Sequence, residues 1–551
     1  MSAVSITDGA DSRGAATNGN AAPSAADHHE HYHAPFSPWL IAVVATLATF
    51  MEVLDTSIAN VALPHIAGNL GAGVEDSTWI LTSYLVSNAI VLPISGWMST
   101  LFGRRNFYLA CVALFTLSSL LCGLAPNLSV LVLCRLLQGL GGGGLQPCTQ
   151  AIMVDTFPAA KRGMGMAVYG MTVVAAPVIG PTLGGWITDN ASWRWVFFIN
   201  VPIGVLSLIL SSKFITDPPF LPRRRGADRG SIDWMGLGGL ALAIGALQMI
   251  LDLGERYDWT SSRFICTLAV LSVTAFVFTI WWELRHKDPV VDLRLLRERN
   301  FALSVAATLL FGFVLYGSTV LLPLFTQTLM GYTAMLSGMV VSPSGIVIMF
   351  FMPIVGMLVA RLDARKMIIF GAAVVSLSLF RMGRFSLDIS FGDIVTARML
   401  QGLGMAFIFV PLSTVSYAFT RTVDRGAASS LISLARNIGA SIGIASMATM
   451  IARQAQIHQG ALVAHATPLD PAYGAWMTQL TAAFAAHTSD AALAASQAQA
   501  AIYHMVGVQA RTLAFVDVFR VMSIAFLVVI PMMLLIRKPP STLPAGEALL
   551  E

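Results

Sequence analysis

The pentapeptide Arg-Leu-Leu-Gln-Gly at 135–139 returns as Arg-Met-Leu-Gln-Gly at 398–402, and each copy lies inside a long apolar run. About 27 residues after each copy, a basic segment ends in Arg-Gly, with arginines Arg162 and Arg425. Both landmarks are separated by the same offset of 263 residues, which indicates an internal repeat. An arginine inside an apolar span is costly in a membrane and usually serves function, so the repeat predicts a duplicated membrane transporter.

The composition agrees with a protein whose main solvent is lipid. Of 551 residues, 56% are hydrophobic and 11% are charged, whereas soluble domains carry about 25% charged residues. The net charge of +4 is small, and we expect no nucleic-acid partner. No Gly-x-x-x-x-Gly-Lys-Ser/Thr motif is present, so we expect no ATP hydrolysis. The five cysteines form no Cys-x-x-Cys pair, and we expect neither a metal site nor another cofactor.

Fourteen runs are long enough to cross a bilayer as helices, the first beginning near Trp39 and the last near Ala514. An even number of spans puts both termini on one side. Lysine and arginine concentrate in alternate connections, including that of Arg104-Arg105, which places those connections and both termini in the cytoplasm. Residues 1–37 are predicted to be a disordered cytoplasmic tail, with 541–551 as a second tail.

The positions of the two arginine motifs predict how the spans are divided. The motifs fall on the fourth and twelfth candidates, eight helices apart, whereas a six-helix repeat separates its copies by six. Two additional helices are therefore predicted between the halves. The predicted units are a six-helix bundle at 38–216, an inserted pair with its connections at 217–300, and a second six-helix bundle at 301–540.

One external connection, at about 454–513, is far longer than the others. It is rich in alanine, with aromatic side chains set among polar ones, which suits one or two amphipathic helices. Its length is compatible with an interaction role or with a spacer, and the sequence leaves both open.

The first span holds two carboxylates, Glu52 and Asp55. Intramembrane acids are costly and indicate function, and the i, i+3 spacing places both on one helix face. Loss of water disfavours the charged form of a carboxyl group, and a second acid nearby does the same. The pair is therefore a candidate site for exchange of a proton near neutral pH.

Arg135 is predicted to reach the depth of Asp55. At 1.5 Å per residue, Asp55 lies roughly 24 Å above the cytoplasmic entry and Arg135 roughly 10 Å below the external entry, in a core of about 30 Å. The two side chains can therefore associate, directly or through a cavity. Competition of a proton and a cationic drug for this acid gives the simplest route to antiport, and a static ion pair is the structural alternative.

The repeat is not symmetric in charge. The span that matches the first one, at 301–323, contains no acidic residue. The second half nevertheless has buried cations, with Arg398 on the twelfth span and Arg436 on the thirteenth. The acidic proton site is therefore predicted in the first half only. Candidate groups lining a substrate cavity are Asn60, Asn88, Gln146, Tyr316, Phe325, Gln327, Arg398 and Arg436.

The fifth span carries a concentration of proline and glycine, which membrane helices tolerate where neighbours satisfy the backbone. The residues concerned are Pro177, Gly180, Pro181, Gly184 and Gly185. They predict either a hinge for alternating access or close helix packing, and the sequence does not separate the two.

Several of these motifs resemble those of the major facilitator superfamily. The segment from Gly96 to Gly103, Arg104 and Arg105 resembles its cytoplasmic gating loop between helices 2 and 3. Gly180-Pro181 with Gly184-Gly185 resembles its antiporter motif. Leu54-Asp-Thr-Ser-Ile-Ala-Asn-Val-Ala-Leu-Pro64 resembles the first helix of the fourteen-helix, EmrB/QacA-like drug:proton antiporters, and stretches such as 429–443 resemble the EmrB branch. The resemblance covers about residues 38–540.

The resemblance implies an all-α polytopic fold with pseudo-twofold halves around a central cavity, in the bacterial inner membrane. It implies proton-driven export of amphipathic toxic compounds, with protons and membrane lipids as the other partners and without enzymatic activity. The EmrB branch further implies a periplasmic membrane-fusion adaptor and an outer-membrane channel. Asp55 and Arg135 correspond to its proton-coupling machinery. The loop motif departs from the family at Thr100, where an acidic residue is usual, and Glu52 lies outside the family signature.

Two other functions are compatible with the sequence. One is a proton-coupled exporter dedicated to a single metabolite or antibiotic, which is expected to offer several fixed polar contacts in its cavity. The other is a sensor or assembly scaffold that transports nothing, but this leaves the buried charges Glu52, Asp55 and Arg135 without a purpose.

Overall fold

A computed structural model of the chain describes residues 35–158, 161–218, 233–286, 289–418, 420–421, 424–488 and 490–537. The predicted N-terminal tail, apart from residues 35–37, lies outside these ranges, as does the predicted tail at 541–551. Most of the connection that leads into the inserted pair lies outside them as well.

Apolar runs of about 20 residues or more fold as helices because lipid cannot satisfy an exposed backbone. The long helices and their bounds are α1 Pro38–Asn69, α2 Trp79–Phe102, α3 Arg104–Leu124, α4 Leu128–Thr156, α5 Arg162–Asn190, α6 Trp195–Phe214, α7 Trp234–Leu253, α8 Arg263–Arg285, α9 Arg299–Thr328, α10 Ala334–Leu358, α11 Ala364–Met382, α12 Phe391–Ala418, α13 Arg425–Val463, α14 Pro471–Ala485 and α15 Ala491–Leu535.

Thirteen of the described helices are long and apolar enough to cross a membrane. Among the remaining long helices, α11 has the length of a span and carries Arg365, Lys366 and Arg381 near its two ends. Cations at helix ends reach the membrane surface through their flexible stems. With α11, the described residues contain the fourteen predicted spans, which confirms the predicted all-α polytopic fold.

Residues 454–513, predicted as a long loop, are mostly helical and continuous with the spans on either side. Helix α13 runs without interruption to Val463, and α15 already begins at Ala491. The 39 residues of α13 extend about 58 Å, nearly twice the apolar thickness of a bilayer. Helix α14 packs against α15, so this region is a helical projection with α14 at its tip. The last predicted span, from near Ala514, is thus the later part of a helix that begins at Ala491.

The two halves meet along two pairs of helices, α2 with α13 and α5 with α10. Small residues allow these helices to approach closely. A Cβ atom on Gly96 of α2 would stand 2.8 Å from the carbonyl oxygen of Gly426, and one on Gly356 of α10 would stand 3.0 Å from that of Gly163. The seryl oxygens of Ser95 and Ser430 are 2.9 Å apart across the α2–α13 contact.

Of the inserted pair, α7 lies against the α2–α13 contact, and α8 packs on α7. Asp252 of α7 accepts a hydrogen bond from Thr82 of α2. Ser441 of α13 donates to Gln248 of α7 at 3.1 Å, and the indole of Trp259 donates to Thr449 of α13 at 2.9 Å. Helix α7 and the segment that follows it are therefore bonded to both halves.

Candidate functional site

Helix α4 packs closely on α2 and α3 because its glycines allow neighbouring backbones to approach. A Cβ atom on Gly141 would stand 2.6 Å from the backbone nitrogen of Phe115 in α3, and one on Gly143 would stand 2.5 Å from the carbonyl oxygen of Asn88 in α2. The helix is interrupted between Gly142 and Leu145. The glycine run therefore serves packing, and it brings Arg135, Gln138 and Gln146 toward the interior.

Asp55 and Arg135 form a direct ion pair, with Nη1 of the arginine 2.5 Å from Oδ2 of the aspartate. Both side chains are fully buried. The other carboxylate oxygen accepts hydrogen bonds from Gln138 at 3.0 Å and from Asn200 at 2.7 Å. The arginine also lies over the ring of Tyr84, 4.4 Å from its centroid. This geometry is that of a rigid, closed pair with directional partners on both oxygens.

Glu52 lies one turn below Asp55 and has different partners. Its Oε2 accepts a hydrogen bond from Gln146 at 2.9 Å, and its Oε1 accepts from Tyr84 at 3.2 Å and from Asn88 at 3.3 Å. The side chain is 3% exposed. Among the described residues, Glu52 forms no ion pair, and all three of its donors are neutral.

A chain of hydrogen bonds connects Glu52 with the second half. The amide of Gln146 donates to Glu52, and its Oε1 accepts from Nη2 of Arg436 on α13 at 2.8 Å. The same arginine nitrogen donates to the hydroxyl of Tyr169 at 2.9 Å. Asn437 donates to Asn88 at 3.4 Å. The environment of Glu52 therefore depends on how α13 is placed against α4.

The second arginine motif repeats the geometry of the first with one substitution. Nη1 of Arg398 donates to Oε1 of Gln401 at 2.5 Å and to Oγ of Ser318 at 3.0 Å, and Gln401 donates to the same serine at 2.8 Å. Ser318 occupies the position that corresponds to Asp55 at the repeat offset of 263 residues. The second half therefore has the arginine and the glutamine without the carboxylate.

A small cavity of about 20 Å³ lies between α5 of the first half and α9, α10 and α12 of the second. Tyr316 and Arg398 line it, as does Pro177 of the proline–glycine segment. Asn88, Gln146 and Arg436 lie in the polar chain around Glu52. Five of the eight predicted cavity residues thus lie at this cavity or in the polar chain around Glu52.

The other three predicted cavity residues lie elsewhere. Phe325 is buried in an aromatic cluster, with ring centroids 5.4 Å from Phe515 and 6.2 Å from Phe385. Gln327 is exposed near the end of α9, and Asn60 is exposed on α1. The sequence position of these residues suggested that they face the cavity. In the folded helices α1 and α9 their side chains lie on other faces.

The proline–glycine segment of helix α5 uses two of its glycines to pack against α1. A Cβ atom on Gly180 would contact the side chain of Ser57, and one on Gly184 would stand 3.0 Å from Ile58. Gly185 has open space around its Cα. Pro181 belongs to the same helix and is partly buried. The close approach accounts for Gly180 and Gly184 by packing, and it holds α1 with its two acids in a fixed position.

The predicted gating loop forms part of a contact between the halves. Gly103 has a φ of +86° between α2 and α3, a conformation that favours glycine. Arg104, which follows it, pairs with Asp155 at the end of α4, and Asp155 also pairs with Arg425 of α13 at 2.8 Å. Arg105 donates to the carbonyl oxygen of Ser212 at 2.5 Å.

Thr100, where the family usually has an acid, donates only to the carbonyl oxygen of Trp97 in its own helix, at 2.8 Å. The charged contact between the halves is made by Asp155, which the sequence did not single out. Its position seven residues before Arg162 carries no local signature. Tyr169 and Asn200 were missed for the same reason, because their partners are distant in the chain. Gln138 stands in the repeated motif itself, but its bond to Asp55 was not predicted.

With this geometry established, comparison with known proteins defines the class. Residues 45–444 match the family model described as Major Facilitator Superfamily. The chain belongs to this superfamily, whose members are membrane transporters, and it is a multi-pass protein of the inner membrane.

Its relatives define the branch. The chain is 37% identical to the fatty acid resistance protein FarB of Neisseria gonorrhoeae over 90% of this chain and 95% of that protein. It is also 37% identical to the multidrug export protein EmrB of Escherichia coli (strain K12), over 80% of this chain and 85% of the relative. These similarities confirm the predicted EmrB branch of the superfamily.

Solved structures support the fold. The proton:xylose symporter XylE aligns with a TM-score of 0.58 and 15% identity, over 93% of this chain and 99% of that one. The human organic anion transporter MFSD10 aligns with a TM-score of 0.55 and 14% identity, over 89% and 100% of the two chains. At these identities the likeness concerns the fold alone.

Proposed function

We propose that the protein exports amphipathic toxic compounds from the bacterial cytoplasm in exchange for protons, by alternating access. Export of several drugs is supported by the names of its EmrB relatives. Proton coupling is supported chiefly by Glu52, a buried acid with only neutral donors that is bonded through Gln146 to Arg436 in the other half.

The partners of the two acids favour Glu52 as the group that exchanges the proton. Protonation of Asp55 leaves the fully buried Arg135 without its counter-charge, and an unpaired buried charge is strongly unfavourable. Protonation of Glu52 leaves no cation unpaired, because the side chains that donate to it are neutral. In this proposal Asp55 and Arg135 contribute to coupling as a fixed ion pair. The pair sets the electrostatic field near Glu52 and holds α1 in position.

The coupling step follows from the chain of hydrogen bonds. When Glu52 is charged, it accepts from Gln146, whose other end accepts from Arg436. Protonation of Glu52 weakens the hydrogen bond from the Gln146 amide, because a charged acceptor forms the stronger hydrogen bond. The contact between α4 and α13 then loses stability, which changes the relative stability of the two arrangements of the halves.

Alternating access requires an arrangement in which the two halves are closed at the cytoplasmic end, and contacts at that end hold them together. Asp155 joins Arg104 and Arg425, and Ser95 meets Ser430 across the same contact. The distribution of lysine and arginine supports a cytoplasmic position for this end and for both termini. In the alternate arrangement these contacts separate and admit substrate from the inside.

Substitution of Glu52 by glutamine is expected to reduce substrate-driven proton release from everted vesicles by at least about tenfold, because the amide keeps the shape of the group but takes up no proton. The measurement is a pH-sensitive dye signal on addition of an amphipathic substrate. Downhill substrate movement without a proton gradient is expected to continue.

Asp76→Asn is the matched control, because it removes an acid from an exposed position outside the membrane helices. Its proton release is expected to equal that of the wild type. Full proton release by Glu52→Gln contradicts the assignment of Glu52. The same result with Asp55→Asn inactive moves the exchange site to Asp55.

The EmrB resemblance and the helical projection together support a tripartite system with a periplasmic adaptor and an outer-membrane channel. The projection formed by the ends of α13 and α15 and by α14 extends well beyond the bilayer. Its tip exposes large apolar side chains, including Leu469 at 94% and Trp476 at 50%. Large apolar side chains that are this exposed support a protein contact at the projection.

Replacing residues 464–490 by a short Gly-Ser linker is expected to reduce co-purification of the adaptor by at least about tenfold, because the exposed tip is removed while α13 and α15 are kept. Drug-dependent proton release in vesicles is expected to persist. A second variant, Leu469→Ser with Trp476→Ser, tests the side chains in the intact projection. Unchanged co-purification of both variants locates the adaptor contact elsewhere.

A further inference from the structure

Two acids meet at the end of the inserted pair that is proposed to face the cytoplasm, away from the chain of bonds around Glu52. Asp233 caps the N-terminus of α7, and Glu283 lies in the last turn of α8. Their side chains are 7% and 1% exposed. Oδ2 of Asp233 and Oε1 of Glu283 lie 2.5 and 2.9 Å from the point where a Cβ atom on Gly236 would stand. The glycine therefore leaves the two carboxyl groups room to approach each other.

The two acids have unequal partners. Both oxygens of Asp233 accept from the indole of Trp282, at 3.0 and 2.9 Å, and Oδ1 also accepts from the backbone nitrogen of Gly236 at 2.9 Å. The N-terminus of α7 further favours a negative charge at this position. Oε2 of Glu283 accepts a long bond of 3.4 Å from the backbone nitrogen of Val291, and its Oε1 has no partner among the described residues. The arrangement therefore favours a charged Asp233 and a neutral Glu283.

No cation in the described part of the chain neutralises this pair. Neither acid forms an ion pair with a described Lys or Arg residue. Arg285 is exposed, and Arg294 is exposed and donates to the carbonyl oxygen of His286 at 3.0 Å. The ring of His286 stacks on that of Trp282 at 5.7 Å, and Asp292 accepts from the backbone nitrogen of Arg294 at 3.1 Å. Two buried carboxylates without a cation are costly when both are charged, and one proton between them removes this cost.

We propose that Asp233 and Glu283 form a second proton-binding site, in which Glu283 holds a proton and donates it in a hydrogen bond to Asp233. The site joins several parts of the chain, because α7 is bonded to α2 and α13, and Val291 belongs to the segment that leads into α9.

Loss of this proton places two negative charges side by side and destabilises the packing of α7 on α8. The contribution of the pair to stability is therefore present at low pH and is lost as the pH rises through the titration of Glu283. The position of the inserted helices against the two halves thus depends on cytoplasmic pH, independently of Glu52.

Infrared difference spectroscopy of the full chain in nanodiscs tests the site during a pH titration, because a protonated carboxyl group has a C=O stretch distinct from that of a carboxylate. The parent chain carries Glu52→Gln, which removes the signal of the proposed exchange group. We expect a protonated-carboxyl band that persists well above about pH 4, where exposed acids lose their protons. Glu283→Gln is expected to remove this band. Asp388→Asn, which changes an exposed acid between α11 and α12, is the control and is expected to leave it unchanged.

Asp233→Asn distinguishes a proton shared by two acids from a proton on an acid that is merely buried. Asparagine has nearly the same shape, carries no charge and offers an N–H group to Glu283. It is therefore expected to lower the proton affinity of Glu283 at least about tenfold, so that the band disappears at a lower pH. Titrations of the parent chain in sodium, potassium and choline salts are expected to coincide, because the site holds a proton.

Cooperative thermal unfolding of each variant shows that it is folded. The proposal is overturned if no band depends on Glu283, or if Asp233→Asn leaves the titration of the band in place. A titration that moves to lower pH in sodium or potassium than in choline also overturns it, since the two acids then bind a metal cation. Because the parent chain lacks Glu52, failure of this site leaves the proposed exchange role of Glu52 untouched. Full antiport by Glu52→Gln likewise leaves this site standing.

Discussion

Methionine in place of Arg135 is expected to lower the free energy of unfolding by about 3–5 kcal/mol, because it leaves the Asp55 carboxylate buried without its cation. The effect is large because both side chains are fully buried and water cannot replace the guanidinium. Gln138 and Asn200 remain as neutral donors, but they supply no charge. Unfolding titrations of the purified protein in mixed micelles measure the difference.

The double variant Arg135→Met with Asp55→Asn is expected to recover most of this loss, because no unpaired charge remains. Arg381→Met is the surface control. Its partner Asp393 lies 3.3 Å away and both side chains are about half exposed, so a change of only about 0–1 kcal/mol is expected. If Arg135→Met costs no more than this control, the buried pair does not hold α1 to α4 as described here.

Asparagine in place of Asp155 is expected to open the cytoplasmic end of the protein. Arg104 and Arg425 share this carboxylate, and the three side chains are almost fully buried. Removing the acid leaves two buried cations facing each other, which costs about 3–5 kcal/mol. Because the contact joins the two halves, we expect the cost to fall on the closed arrangement and to shift the population toward the open one.

Labelling of a cysteine at Ser95 by a membrane-impermeant maleimide measures this shift. Ser95 is 1% exposed and lies 2.9 Å from Ser430 in the closed contact. In a background without the native cysteines, Asp155→Asn is expected to raise the labelling rate from the cytoplasmic side at least tenfold, roughly the minimum for a shift above 1.4 kcal/mol. Asp393→Asn serves as the control for loss of an exposed acid. Equal rates in the two variants argue against a gating role for Asp155.

The pairing of Asp55 with Arg135 could be predicted from sequence because helix rise and membrane thickness fix depth. The relation of Ser318 to Arg398 was also accessible, since the repeat offset leads from Asp55 to Ser318. The relation was not predicted, because the two halves were compared only by their acidic residues. Asp155 could not be found in this way, because its two arginine partners come from helices that only the folded chain brings together.

The helical projection shows a different limit. Hydropathy locates helices by their contact with lipid, and the alanine-rich ends of α13 and α15 are less apolar than the spans they continue. The sequence predicted helical segments there, but not that they are continuous with the membrane helices. Continuity depends on backbone propensity and on packing with α14, which an apolar-run criterion does not measure.

The continuity of α13 has a mechanical consequence. This one helix carries Arg425 at the cytoplasmic contact, Arg436 in the chain of bonds to Glu52, and the outer projection near Val463. It is therefore a lever, about half of which lies outside the membrane. A tilt of about 10° displaces one end of a rod of about 58 Å by about 10 Å relative to the other. A small rearrangement around a proton or a substrate is thus amplified into a movement large enough for a neighbouring protein to detect.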